Sequence, residues 1–305
     1  MKNTALKNTV LTNTALTNLT APKHASLTIQ APAKLNLFLH VTGRREDGYH
    51  ELETLFQFLS VHDVLHIEPT HDGHIHLLTE VAGLAAEDNL VFRAAQLLLA
   101  KRKNPNDGAR IMLQKHLPMG GGLGGGSSDA ASTLIALNHL WGLGIARHEL
   151  AELGLQLGAD VPVFVHGQAA LARGVGEQFS PAEPPEAWYL IIDPHVHVST
   201  ADIFAHPDLP RATSKINNPN TSHCFNWKKY RNDCEELVRR LYPQVAKASD
   251  WLVEYAPTRM TGTGACVFGC FASQAEAQAA LTELPAEFSG FVAQGLNTSP
   301  AWQGL

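Results

Sequence analysis

What this chain lacks narrows its identity first. No apolar run among its 305 residues approaches the roughly 20 needed to cross a bilayer, and even "LGADVPVFV" carries an aspartate, so no membrane partner is expected. Positive charge is not in excess. The 23 lysines and arginines against 29 aspartates and glutamates leave a formal charge of -6, whereas nucleic-acid binders usually carry a basic face. A small anionic ligand stays open, because it needs only local positive potential. Cysteine is scarce: Cys224, Cys234, Cys266 and Cys270 form no CxxC pair and no disulfide framework, which points to reduced thiols in a cytoplasmic protein. Cys266 and Cys270, at i and i+4 of a predicted strand, read as small core residues. Histidines 71, 74 and 76, and histidines 195 and 197, sit in polar turns or strands without the companion ligands of a zinc site, so no protein-held metal is expected.

The first residues are equally sparse in signal. "KNTALKNTVLTNTALTNLTAPKH" nearly repeats a five-residue unit that fits neither helical nor strand periodicity. Residues 1–24 therefore read as a disordered, low-complexity tail without the apolar segment of a secretory signal. Its lysines and lack of acids leave a transit-like role open.

From residue 26 onward, periodicity appears. "SLTIQAPAKLNLFLHVTG" alternates, with Ala33, Leu35, Leu37 and Leu39 on one face and Lys34, Asn36 and Phe38 on the other, and predicts a half-buried strand. "HDGHIHLL" reads as a hairpin bent at Asp72-Gly73. "EDNLVFRAAQLLLAKR" has helical spacing at Leu90, Ala94, Leu97 and Leu98, and "ARIMLQKHLP" is a further strand. That strand leads into what the chain has in abundance. Six of its 24 glycines lie between positions 120 and 126, in "PMGGGLGGGSS". After them "SSDAASTLIALNHLWGLG" predicts a helix with Ser127, Ser128 and Asp129 as capping oxygens and Gly142 or Gly144 as its end. "ARHELAELGLQLG" predicts another.

A glycine-rich loop running from a strand to a helix N-terminus offers bare amides and a favourable dipole to an anion, and the expected ligand is a phosphate. A flexible linker would seldom run straight from a strand into a capped helix. The loop has no Gly-Lys-Ser/Thr ending, which excludes a Walker A site. Gly120, Gly122 and Gly125 satisfy G-x-G-x-x-G, yet several strands precede the loop and two helices follow it, which disfavours a dinucleotide fold.

"PMGGGLGGGSSDAA" resembles the long phosphate loop of the GHMP kinases, the family of galactose, homoserine, mevalonate and phosphomevalonate kinases. "PAKLNLFL" and "MTGTGACVFGCF" resemble the family's N-terminal and C-terminal motifs, in the right order. The resemblance runs from about Ala31 to Phe271. It implies an α+β, two-domain fold whose first domain is of the ribosomal protein S5 type, with the active site in the cleft between domains. The expected division is an ATP-binding domain over residues 25–177 and a substrate domain over 178–305. ATP and Mg2+ are the implied cofactors, Mg2+ as the companion of ATP. Pro118, Met119, Gly120, Gly121, Gly122, Leu123, Gly124, Gly125, Gly126, Ser127 and Ser128 are the implied ATP-binding loop, with one of the two serines reaching the phosphates or Mg2+ and the other capping the helix.

The same resemblance makes Asp160 of "GADVPVF" the general base and places Lys34 in the cleft beside it. From the residues alone, Asp160 serves equally well as a helix N-cap, and the Lys34 face could as well meet solvent. Asn36 would help position the acceptor. "AKLNLFLHVTGRREDGYHELETLFQFL" and "LGADVPVFVHG" are similar to a family member whose acceptor is a cytidylated methylerythritol, phosphorylated on its 2-hydroxyl. Tyr49 and Phe204 would then sandwich the base, with His50 hydrogen-bonding its edge and Thr200 near the ribose or base. In this chain Ala201 stands where the family has a proline. A homoserine- or mevalonate-type kinase, and a nucleotide-binding protein without catalysis, are the other readings. "TGTGA" at 261–265 reads as a tight turn or as close backbone approach to the ligand. A monomer or homodimer is expected.

Overall fold

β1 (Leu27–Arg44) departs at once from the half-buried expectation, because every residue from Ala31 to Val41 is buried. In the computed structural model, which describes residues 26–80, 85–216 and 229–305, this strand exposes Thr28 and Gln30 near its start but has no solvent face from Ala31 to Val41. Its residues feed three apolar clusters in succession: Ile29 and Ala31 in the first, Ala33, Leu35, Leu37 and Phe38 in the second, Leu39 and Val41 in the third. Alternation along a strand shows two faces, but it does not show whether the polar face meets water or a protein interior. Lys34 and Asn36 are therefore buried polar groups that need partners. The repetitive tail (1–24) and Cys224 lie outside the described residues.

β1 pairs antiparallel with the long β2 (His50–Thr70), with register shifts between Pro32 and Lys34, between Asn36 and Leu39, and between Val41 and Gly43. Irregularities of this kind re-aim side chains and gather near functional sites. The expected hairpin at Asp72-Gly73 does not form. The bend is present, but β3 (Ile75–Leu77) runs parallel to β4 (Gly108–Gln114), and β4 lies between β3 and β2. Asp72 accepts from Thr70 Oγ1 at 2.7 Å and from the amide of His74 at 3.1 Å, so it turns the chain without setting the strand pairing. α1 (Leu90–Leu99) is capped by Asn89, whose Oδ1 accepts from the amide of Val91 at 2.9 Å.

α2 (Gly125–Leu140), α3 (Arg147–Leu155) and α4 (Val161–His166) follow, and α2 packs on β1 as part of the first cluster. β5 (Ala170–Arg173) returns to β2 and hairpins to β6 (Gln178–Pro181). β7 (Trp188–Asp193), α5 (Thr200–Ala205), α6 (Glu235–Leu241), α7 (Pro243–Leu252), β8 (Thr258–Met260), β9 (Val267–Phe271), α8 (Gln274–Thr282) and β10 (Ser289–Leu296) complete the described order. β10 pairs with both β7 and β2, joining the strands into one sheet. α6, α7 and α8 build the third cluster against β7 and β9. Cys266 is fully buried in the second cluster, which Cys270 packs against from a partly exposed position. Among the described residues, no helix is long and apolar enough to cross a membrane.

Candidate active site

One cavity of about 1110 Å³ gathers most of the residues singled out in the sequence. Pro118 through Ser127 line it. Gly120, Gly122 and Gly124 all have φ between 72° and 75°, a left-handed residue at every second position, the alternation from which anion-cradling backbone nests are built. The expected capping oxygens are corrected here. α2 begins at Gly125 with Gly124 as N-cap, so Ser127, Ser128 and Asp129 lie inside the helix and no side chain caps it. The first-turn amides thus face the loop as an anion site instead of being satisfied locally. Ser127 lines the cavity, whereas Ser128 is buried and its Oγ makes no hydrogen bond among the described residues.

β1 and α4 bring the two charged residues together across this loop. Lys34 Nζ lies 3.1 Å from Asp160 Oδ2. The lysine is 2% exposed and the aspartate about a third, so the pair points from the interior into the cleft. Asp160 occupies the N-cap position of α4, but its side chain makes no cap hydrogen bond, so the local reading of it as a helix cap is not met. Asn36 is committed to the protein: its Oδ1 accepts from Lys34 Nζ at 2.6 Å and its Nδ2 donates to Thr54 Oγ1 at 2.8 Å. It orients the lysine. The backbone amide of Lys34 donates to the carbonyl of Leu123 at 2.9 Å, tying the Lys34–Asp160 pair to the glycine-rich loop.

Tyr49, His50, Thr200 and Phe204 line the same cavity. The His50 and Phe204 rings stack at 5.1 Å, 26° apart, while Tyr49 is 63% exposed on the rim. Thr200 Oγ1 shares a hydrogen bond of 2.8 Å with Thr263 Oγ1. Ala201 falls in the first turn of α5, where a proline would also fit because no helical amide donor is needed there.

Several contributors were not legible beforehand. The 261–264 segment approaches the phosphate loop itself: Thr261 Oγ1 donates to the carbonyl of Gly122 at 3.3 Å and accepts from the amide of Asn36 at 3.1 Å. Buried Asn232 holds this segment by donating to the carbonyls of Met260 and Gly262, at 2.8 and 2.7 Å. His197, set aside in the sequence, packs against the loop at Gly120. Asn232 and His197 lie in no motif, and the contacts of Thr261, which does, are made with residues distant in sequence.

An ionic triad anchors both ends of the loop. Asp63 accepts from the amides of His116 and Leu117 at 2.6 and 2.9 Å, just ahead of Pro118. Lys115 bridges Asp63 at 2.5 Å and Asp129, on the first turns of α2, at 2.8 Å. One cation serves two buried carboxylates. Asp63 has its two amides besides, whereas Asp129 Oδ1 has no hydrogen bond among the described residues, and burial pushes the Asp129 pKa up to about 7, against the pull of Lys115. A carboxyl whose pKa is higher folded than unfolded stabilises the fold in acid, and that contribution is lost as pH rises from about 4 to about 7. Asp129→Asn should abolish this loss. Thermal unfolding should show the variant gaining on the parent above pH 7 but not at pH 5, and an equal gain at both would refute the assignment.

Comparison with known proteins agrees with this geometry. Residues 89–168 match the model for the GHMP kinases N terminal domain and residues 215–290 that for the GHMP kinases C terminal domain. A 4-diphosphocytidyl-2-C-methyl-D-erythritol kinase of Shewanella woodyi is 58% identical over 276 residues, covering 90% of this chain and 95% of the relative. One of Mannheimia succiniciproducens is 55% identical over 275 residues, covering 90% and 89%. A crystal structure of 4-(cytidine 5'-diphospho)-2C-methyl-D-erythritol kinase superposes with a TM-score of 0.73 at 34% identity, covering 88% of this chain and 99% of that one. A mevalonate kinase structure, at 18% identity and a TM-score of 0.63 over 89% of this chain and 99% of that one, shares the fold. With both domain models matched in order and these relatives spanning most of its length, the chain belongs to the GHMP kinases, two-domain enzymes that phosphorylate small molecules at the expense of ATP.

Proposed function

We propose that the protein transfers the γ-phosphoryl group of ATP to the 2-hydroxyl of 4-CDP-2-C-methyl-D-erythritol, a step in non-mevalonate isoprenoid precursor synthesis. The observation that carries this reading is that the Lys34–Asp160 pair, 3.1 Å apart, shares one cavity with the glycine-rich loop and the His50–Phe204 stack. The names of the relatives support the acceptor.

The loop amides and the first turn of α2 receive the triphosphate. Ser127, which lines the cavity at the start of α2, would face the Mg2+ that accompanies ATP, and that ion would supply neutralisation of developing charge. The acceptor oxygen attacks the γ-phosphorus, the bond from that phosphorus to the bridging oxygen breaks, and ADP leaves with that oxygen. Asp160 accepts the hydroxyl proton. Lys34, oriented by Asn36, holds both the aspartate and the transferring phosphoryl oxygens. The cytosine stacks at the aromatic end, bounded by Phe204 and Tyr49, with His50 on its edge and Thr200 beside it. We place the donor half of the fold at residues 25–177 and the acceptor half at 178–305, the β5–β6 hairpin spanning the join.

Coupled ADP release with ATP and Mg2+ tests the reading against four acceptors: 4-CDP-2-C-methyl-D-erythritol, homoserine, mevalonate and galactose. Turnover with the cytidylated acceptor alone is expected. Turnover with one of the others keeps the phosphate loop and sinks the cytidine pocket.

A further inference from the structure

Arg211 has no part in the motifs, yet it touches more of the acceptor end than any residue named so far. Its half-buried guanidinium offers five N–H donors, and five acceptors surround it. Nη2 donates to the carbonyls of Phe204 and His206 at 3.0 and 2.7 Å, and Nη1 to those of Pro207 and Leu209 at 3.3 and 3.2 Å. Nε donates to His50 Nε2 at 3.1 Å. The first four contacts gather the end of α5 and the turn after it. The fifth crosses to the start of β2, which belongs to the other wall of the cavity.

Two consequences follow from the chemistry of the fifth contact. A nitrogen that accepts from a guanidinium carries its lone pair, so the ring proton of His50 sits on Nδ1 and the imidazole is neutral. Burial, then the positive charges of Arg211 and Arg44, lower the pKa of His50 and favour the same state. The Phe204 ring is meanwhile held against His50 at 5.1 Å by an arginine bonded to both residues. Lysine could not replace this fork, because its three donors radiate from one atom.

Resting on the acceptor reading above, we propose that Arg211 is the positioning residue of the base pocket: it sets the spacing between the two walls and holds His50 as the Nδ1–H tautomer, a donor suited to the acceptor atoms on a cytosine edge. Arg211 itself touches no reacting atom. Arg211→Lys keeps the charge and loses the fork, and Arg211→Ala loses both.

In either variant KM for the cytidylated acceptor should rise about tenfold or more, while KM for ATP and kcat at saturating acceptor stay within about twofold of the parent. The tautomer is read on the parent protein by 15N shifts of the His50 ring, with Nδ1 expected as the protonated nitrogen, and needs no variant to fold. An unchanged acceptor KM in Arg211→Lys would mean that charge alone suffices and overturns the inference. So does an equal rise in both KM values, which marks general loosening, or a proton found on Nε2. If the parent turns over other acceptors but not the cytidylated one, the functional reading fails and this inference with it; if the parent turns it over and Arg211→Lys matches the parent, only this inference fails.

Discussion

Asp160→Asn should lower kcat by roughly 10²–10⁴-fold, the range that a positioned general base contributes, and leave KM for ATP nearly unchanged. The substitution preserves size and removes the proton acceptor. Its effect on stability should be slight, because the Asp160 side chain caps no helix amide and its ion-pair partner Lys34 keeps the hydrogen bond to Asn36. Lys34→Met should fall in the same direction, by roughly 10²–10³-fold, since it removes a preorganised cation. That variant also leaves Asn36 Oδ1 without its donor inside the protein, so a fall in melting temperature should accompany it. Steady-state kinetics with isothermal titration of ATP separates the two readouts. An Asp160→Asn enzyme that keeps wild-type kcat would take Asp160 out of the proton's path, and the reaction would then rest on charge neutralisation and alignment alone.

Gly122→Ala should be the most damaging single change in the loop. Gly122 has φ of 75°, and a Cβ there would lie 2.4 Å from the carbonyl oxygen of Thr261 and 3.0 Å from that of Gly264. Both obstacles are backbone, and Asn232 holds the segment that carries them. The methyl group therefore pushes the phosphate loop off the C-terminal motif. We expect a loss on the order of 2–4 kcal/mol in unfolding free energy and a rise of at least about tenfold in KM for ATP. Gly142→Ala supplies the control. It has φ of 57° but nothing within 4 Å of an added Cβ, so it should cost about 1 kcal/mol of backbone strain and leave the kinetics unchanged. If the two variants unfold alike and bind ATP alike, the loop does not depend on its contact with 261–264.

The reason for that glycine differs from the one its motif suggests. "TGTGA" and "GGGLGGG" each read as places where backbone approaches a ligand. In the fold the two also approach each other, Cys266 N donating to the carbonyl of Gly121 at 3.1 Å and Thr261 reaching Gly122. Neither segment could disclose its partner, since nothing in a local pattern encodes a contact made between residues 139 positions apart. The same limit applies to Asp63, Lys115 and Asp129. Each looks like an ordinary charged residue on a strand or helix, and only the packing of β2, β4 and α2 makes them one buried group with a proton to share.

Local chemistry was enough for the rest. The run of glycines between a strand and a helix declares an anion site because glycine's backbone freedom and the helix terminus act within a few residues. Lys34 and Asn36 share a face because side chains alternate with a period of two along a strand. What the sequence by itself determined, then, is the glycine-rich loop between a strand and a helix, most of the elements around it, and the family whose motifs they match. The tertiary structure decided which polar faces are interior, that Asp160 meets Lys34 instead of capping α4, that β3 pairs with β4, and that Arg211 bonds both His50 on β2 and the end of α5. Those outcomes depend on which distant segments exclude water from one another, and exclusion of water is a property of the packed chain.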